Sequence, residues 1–517
     1  MTENLLKFCI EKGVLLDKET SNLLSEFDDN TVKEIIDKVS LLREKIITKS
    51  FFYKNAEKIH ELIHNEKVID KLRINFGVSF EISREKLKIQ EPVKDEEKNL
   101  EEKNEIKILS SPIINTRKIV PQDFVKYFKI RYNEMKKFLM DRKELDNLVS
   151  LNKINGQKQA ISIIGMVFDK KITKNKNIML EVEDLTGKIK VLISKEKAEV
   201  YEKARDIIID DIIGIKGFGN SEIIFANNIF YPDIFLHEKV KIDRDEKIAF
   251  ISDIHVGSKN FLEENFFKFI SWINGEKGDE EQKIEAKKVK YLLITGDCVD
   301  GVGVFPGQEE QLNIKDIFKQ YEKLAEYLKM IRKDVKIILC PGQHDAVRIA
   351  EPQPFIGKEY GKALYELENL ILVSNPSMIE ITNGKNRGIK ILMYHGASLS
   401  SYVSEIESLR VAKAHWNPSK VIKEMLKRRH LCSIHSSVTY IPDDKQDSLL
   451  IKEVPDIINT GDFHRPDVDI YNNILIICSS CWQSITPFEE KVGNVPDPCK
   501  VPVLNLKTRE IKILDFN

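Results

Sequence analysis

From Lys247 onward the chain repeats one pattern: a short, almost wholly apolar run, then a loop pairing glycine with aspartate or histidine. The runs are Lys247–Ser252, Val289–Thr295, Val335–Cys340, Ile389–Tyr394, Ile457–Thr460, Ile474–Cys478, Val501–Leu506 and Ile511–Leu514. Apolar runs of this length between glycine-containing loops read as strands. Helical spacing between some of them, as at Leu262, Phe266, Ile270 and Ile273, supplies the covering helices. The pattern predicts a two-layer α/β domain.

The polar residues after these runs are those that bind divalent cations. ISDIHVGS gives Asp253 and His255, and LLITGDCVDG gives Asp297 with Asp300 as a further candidate. ILCPGQHDAVR gives Gln343, His344 and Asp345, ILMYHGAS gives His395, and INTGDFHRPD gives Asp462 and His464. Ligand sites in open α/β sheets form at the carboxyl ends of strands, so five clusters at five strand ends would converge. Carboxylate oxygens and imidazole nitrogens suit Mn, Fe or Zn. Two such ions about 3.5–4 Å apart promote in-line displacement at a phosphodiester. The neighbouring Gly257, Gly296, Gly342, Gly396 and Gly461 allow close backbone approach. One Asp-x-His is commonplace, and a lone His344 could be a satisfied core histidine; five clusters in order are specific. His60, His64, His237, His415 and His430 fall outside and read as structural or surface residues, with His435 unassigned.

Upstream, the length of 517 residues predicts about three or four domains. Residues 1–79 read as a helical N-terminal domain, with Asp29-Asn30 capping a helix that buries Val32, Ile35, Ile36 and Val39. Residues 80–120 read as a flexible linker, because EPVKDEEKNLEEKNEIK offers too little apolar surface to offset its ordering entropy. Residues 121–240 read as a helix opening at Pro121, then five short strands with a helix near Lys195–Ala204, an OB-fold β-barrel. The hairpin with Lys170, Lys171, Lys174 and Lys176 is either a single-strand DNA contact or a solvated tip; the solvated tip is favoured. A net charge of −1 excludes a protein that coats nucleic acid by bulk charge. Seven scattered cysteines read as reduced, and Cys478, Cys481 and Cys499 read as structural residues in place of a zinc site. The charged N-terminus is no signal peptide, and no apolar run approaches membrane-spanning length, so a cytoplasmic protein without membrane contact is expected.

The ordered motifs D-x-H, G-D-x-x-D, G-Q-H-D, H-G and G-D-x-H resemble the calcineurin-like metallophosphoesterases. The stretch from KRRHLCSIHSSVTYIPDD to INTGDFHR, followed by SSCWQSITPFEEKVGNVPDPCKVPVLNL, resembles the small subunits of archaeal family-D DNA polymerases and their eukaryotic B-subunit relatives. The resemblance covers about residues 150–517, with residues 241–517 as the metallophosphoesterase sandwich. It implies that Asp253, His255, Asp297 and His464 hold one ion, and that Asp297, Gln343, His395 and Asp462 hold the second. His344 would protonate the leaving oxygen or stabilise the transition state, and Asp345 would orient His344. The implied activity is 3′→5′ exonucleolytic proofreading of DNA with two divalent ions: manganese first, with magnesium, iron or zinc as alternatives. The implied partners are a large catalytic polymerase subunit, in a heterodimer or heterotetramer, DNA 3′ ends and a sliding clamp.

Two positions depart from the family pattern. Gln343 stands where asparagine is usual, and Asp462 where the first histidine of G-H-x-H is usual. Both keep a ligand atom, and oxygen-preferring Mn²⁺ or Mg²⁺ tolerates the change better than softer metals. Two other readings stay open: a non-catalytic scaffold with a degenerate second metal site, and a free-standing phosphoesterase.

Overall fold

The structure, a computed structural model, describes residues 117–382 and 387–517 without a break, together with 105–114, 80–83 and parts of the first 48 residues. Two sheets lie face to face in the C-terminal half. One has seven strands in the order Leu370–Leu372, Lys336–Cys340, Val289–Thr295, Lys247–Ile251, Lys500–Asn505, Ile511–Asp515 and Phe80–Ser83. Its first four strands are mutually parallel. The other has six strands in the order Asp467–Tyr471, Ile474–Cys478, Ile457–Thr460, Ile389–Met393, Ser377–Thr382 and Glu105–Ser110.

The apolar runs behave as double-faced strands must. Alternate residues Ile248, Phe250, Leu293, Ile338, Ile391, Ile457 and Ile477 fill the space between the sheets. Their neighbours Ala249, Ile251, Leu292, Ile294, Ile337 and Leu339 face outward onto the helices Glu263–Ile273 and Ile317–Lys329. On the far side Leu392, Ile458, Ile474 and Ile476 pack against Leu399–Glu405 and Ser419–Arg428. Each fully buried isoleucine or leucine contributes roughly 1.5–3 kcal/mol. The domain thus has four layers, helix, sheet, sheet and helix, where the sequence predicts two. A run apolar on both faces shows that it is covered twice, but not that the second cover is another sheet.

The eight strands expected here all form, within one or two residues of their expected ends. Leu370–Leu372 escaped sequence reading because it is short, Ser377–Thr382 because Glu380 and polar ends break its apolar run, and Asp467–Tyr471 because it is mixed with charge and half-buried. The stretch expected as linker also contributes strands. Glu105–Ser110 pairs antiparallel with Ser377–Thr382, and Phe80–Ser83 pairs parallel with Ile511–Asp515. The rest of the charged run, residues 84–104, lies outside the described residues.

Before the sandwich, five strands from Gln159–Ile172 to Ile223–Phe230 close into a barrel, with the helix Ala198–Arg205 between the third and fourth. The helix Pro121–Met140 bridges barrel and sandwich. Tyr132 donates to the Ile164 carbonyl of the barrel (2.9 Å), and buried Arg131 pairs with Asp447 of the sandwich (2.7 Å). A second buried pair, Arg428 with Asp211 at 2.9 Å, joins sandwich to barrel directly. In the N-terminal unit, Asp29–Ser40 is a helix that buries Val32, Ile35, Ile36 and Val39. Leu15–Leu16 and Ile46–Ile47 form a small parallel pair beside it; much of 1–79 lies outside the described residues. No helix among the described residues is long and apolar enough to cross a membrane.

Candidate metal centre

Each cluster follows its strand. Asp253 and His255 follow Lys247–Ile251, Asp297 follows Val289–Thr295, and Gln343, His344 and Asp345 follow Lys336–Cys340. His395 follows Ile389–Met393 in the second sheet, and Asp462 and His464 follow the parallel neighbour Ile457–Thr460. The chain turns sharply at these ends: Asp253, His255, Asp297, Asp462 and His464 all have positive φ, from 48° to 69°. A non-glycine residue in that region costs of order 1–3 kcal/mol, and such strain persists where the surrounding structure holds it. Two glycines make room. A Cβ on Gly296 would collide with the His395 ring, and one on Gly342 with the Asp297 carboxylate.

The side chains converge. Asp253 Oδ1 lies 3.3 Å from His464 Nε2 and 4.0 Å from both His255 Nε2 and His395 Nε2. His395 Nε2 lies 3.2 Å from Asp297 Oδ2. Three overlapping groups could each hold an ion: Asp253 with His255 and His464, Asp253 with Asp297 and His395, and His255 with Asp297 and His344.

The imidazoles are oriented for such a task. The Nδ1 atoms of His255, His395 and His464 lie on Asp300 Oδ1 (3.1 Å), the Thr295 carbonyl (2.8 Å) and Glu489 Oε1 (2.8 Å). Each partner is an oxygen acceptor, so Nδ1 carries the proton and the Nε2 lone pair turns into the cup. Two of those lone pairs, on His255 and His464, face each other at 3.3 Å, an arrangement that calls for a cation or a proton between them. Asp253 Oδ1, His395 Nε2 and Gln343 Oε1 are buried with no hydrogen-bond partner. Buried polar atoms are rarely left so, and together with this donor set they fit divalent ions.

Charge makes the same demand. Burial raises the Asp253 and Asp297 carboxyls, but the nearby imidazoles, His395 foremost, outweigh it and hold both below the usual carboxylate range. Burial disfavours a charged His395, yet Asp297 and Asp253 lift its pKa well above the ordinary histidine value. Asp462 is pushed up to about 6 by burial, with Asp253 and Asp297 adding to the rise. Carboxylates crowded in low dielectric favour bound cations.

At the two departures, Gln343 Nε2 donates to Asp462 Oδ1 at 3.1 Å. The extra methylene of glutamine thus brings its amide onto the aspartate that stands in the histidine position. His344 donates its backbone N–H to Asp297 Oδ1 (2.8 Å), which draws the third loop into the cup. Its ring is not oriented by Asp345, as the resemblance implies. His344 Nδ1 lies on the Asp300 carbonyl at 2.8 Å. Asp345 instead accepts from the Gly342 and Cys298 amides (2.8 and 3.2 Å) and from Tyr321 OH (3.1 Å), which pins the loop.

The basic hairpin is less available than its composition suggests. Lys170 turns inward, donating to the carbonyls of Arg205 and Ile207 at 2.6 and 2.7 Å, and Lys171 pairs with Asp169. Lys174 and Lys176 remain at the tip. Sequence reading missed Glu489 behind His464 and left Asp300 unassigned. Thr486-x-x-Glu489 is legible as a capping box, and it forms, but nothing local reveals the histidine 25 residues away.

Fold and site together define a four-layer α/β sandwich that gathers carboxylates and imidazoles into one cup, able to hold cations, at the carboxyl ends of strands from both sheets. Residues 248–468 match the family of DNA polymerase alpha/epsilon B subunits. The DNA polymerase II small subunit of Methanothermobacter thermautotrophicus is 39% identical over 396 residues, which cover 76% of this chain and 79% of that one. That of Pyrococcus furiosus is 38% identical over 405 residues, covering 77% of this chain and 64% of the relative. That of Archaeoglobus fulgidus is 37% identical over 382 residues, covering 74% and 75%. The chain belongs to this family, the small subunits of archaeal DNA polymerase II, the family-D polymerases.

Proposed function

We propose that this chain is the proofreading subunit of a two-subunit replicative polymerase: a 3′→5′ exonuclease acting on DNA ends and a scaffold for the large catalytic subunit, working in the cytoplasm. Residues 241–517 with their two recruited strands act as the metallophosphoesterase domain. The closed five-stranded barrel, with its helix after the third strand, supports an OB-fold reading of residues 121–240. Asp253, His255, Asp297 and His464 would hold one divalent ion, and Asp297, Gln343, His395 and Asp462 the other, with manganese the best match to the oxygen-rich second set. Such ions supply positive charge for the phosphoryl oxygens and lower the pKa of water.

The protein's own groups do the rest. The Asp300 carbonyl takes Nδ1–H of His344, so the ring acts as a donor in its imidazolium form, giving the Nε2 proton to the leaving oxygen and keeping Nδ1–H as a neutral imidazole. Asp345 holds Gly342 and Cys298 still, keeping His344 in register with Asp297. The observation that carries the reading is the convergence of Asp253, Asp297, His395 and His464 within 4.0 Å contacts, in a chain of this family. The test is degradation of an end-labelled primer with Mn²⁺ by native protein and by His344→Ala. A loss of about a hundredfold or more is expected; equal rates would remove the proposal.

The Gln343–Asp462 hydrogen bond favours one other reading, in which that pair satisfies itself and closes the second site, leaving a scaffold. Calorimetry with Mn²⁺ decides between them: two sites support the nuclease, and one site without primer degradation supports the scaffold. Family membership weighs against a free-standing phosphoesterase.

A further inference from the structure

Beyond Asp300 the chain runs Gly301-Val302-Gly303-Val304-Phe305-Pro306-Gly307 along the edge of the cup. The backbone of this loop is held from inside. Buried Gln308 donates Nε2 to the Asp300 carbonyl (2.7 Å) and carboxylate (3.0 Å), and its Oε1 accepts the Val304 N–H (2.9 Å). Buried Gln320 accepts the Gly301 N–H at 2.9 Å and donates to the Gly301 carbonyl at 3.0 Å. The side chains do the opposite. Val302 and Val304 are 41% and 37% exposed. Phe305 is half-buried, with its ring 6.4 Å from the His344 ring at an interplanar angle of 66°. Two buried glutamines thus fix an apolar loop that faces solvent beside the proposed proton donor. Rigid support for exposed apolar groups is how binding sites are built, and fold stability gains little from it.

We propose that Phe305, flanked by Val302 and Val304, is a stacking platform for the unpaired terminal base of the DNA strand whose phosphodiester sits at His344. The inference rests on the nuclease reading and assigns to it the residue that positions the terminal base. An unpaired base held on Phe305 has left the duplex stack, as the end of a single strand or a frayed or mismatched end has already done. Stacking also supplies affinity without charge, which a chain of net charge −1 needs, and it is indifferent to sequence because every base has a π-face.

The test uses the full chain with Ca²⁺ in place of manganese, to hold binding apart from cleavage. The probe is a single-stranded oligodeoxynucleotide carrying a fluorescent 2-aminopurine at its 3′ end or at an internal position. The native protein should quench the terminal probe more strongly than the internal one. Phe305→Ala should remove that difference and weaken binding roughly tenfold, and Phe305→Trp should restore both. Equal quenching at the two positions, or a terminal signal that survives in Phe305→Ala, would overturn the proposal. So would a Phe305→Ala protein that binds the oligonucleotide normally but no longer retains the large subunit, since the loop would then be a partner surface. A native protein that quenches the terminal probe yet degrades no primer in Mn²⁺ would refute the nuclease reading and leave the platform standing.

Discussion

Glu489 lies outside every cluster legible in the sequence, yet its Oε1 fixes the proton of His464 on Nδ1 at 2.8 Å. Carboxylates in this position orient an imidazole and raise its basicity toward a metal, and their loss typically costs 10–100-fold in affinity. Glu489→Gln keeps the capping residue of the helix Pro487–Val492 but removes the charge. It should weaken the tighter Mn²⁺ site about tenfold by calorimetry, with unchanged secondary structure by circular dichroism. An unaltered isotherm would show that His464 orients itself. Asp253, His255, Asp297, His395 and His464 were legible one by one because each carries a reactive group at a strand end. Glu489 and the Asp345 contacts were not, because what a carboxylate does depends on which amide or ring lies next to it.

Among the elements, the helix Pro121–Met140 shows how the fold is fastened. Arg131 and Tyr127 both reach Asp447, which His430 also holds, with Nε2 at 2.9 Å, and all four are buried. Removing one partner of a buried pair costs about 3–5 kcal/mol, because the other charge is left uncompensated. Arg131→Met should therefore lower stability by that amount in urea denaturation. Acid should act in the same direction. Burial pushes Asp447 up, but Arg131 and then His430 outweigh it and hold the group far below the usual carboxylate range. Its contribution is complete above the ordinary carboxylate pKa of about 4 and is lost as pH falls below it. Burial likewise lowers His430, so its contribution starts to fall once pH drops below the ordinary histidine value of about 6.5. The urea midpoint should decline from pH 7 downward, and less steeply below pH 5 in Arg131→Met, where Asp447 is no longer held down. Parallel profiles for the two proteins would refute the linkage.

Across the whole molecule, the cup joins the two sheets, since His395, Asp462 and His464 come from one and Asp253, Asp297 and Gln343 from the other. Ions held there would cross-link the sandwich. Mn²⁺ at about a hundred times its dissociation constant should stabilise the protein by roughly 2.7 kcal/mol, seen as a melting point several degrees above that in chelator. The gain should grow with pH as ligands shed protons, and should largely vanish in His395→Ala. Identical melting with and without metal would mean that the cup binds nothing.

The sequence alone determined eight strands of the sandwich, the five clusters that follow strand ends and the barrel, because apolar runs and turn chemistry are written within a few residues. Only the tertiary structure decided that the layers number four, that Glu105–Ser110 and Phe80–Ser83 complete the two sheets, and that Asp300 and Glu489 orient the imidazoles. Those outcomes depend on partners far away along the chain, and spacing within one segment carries no record of which distant group will lie against it.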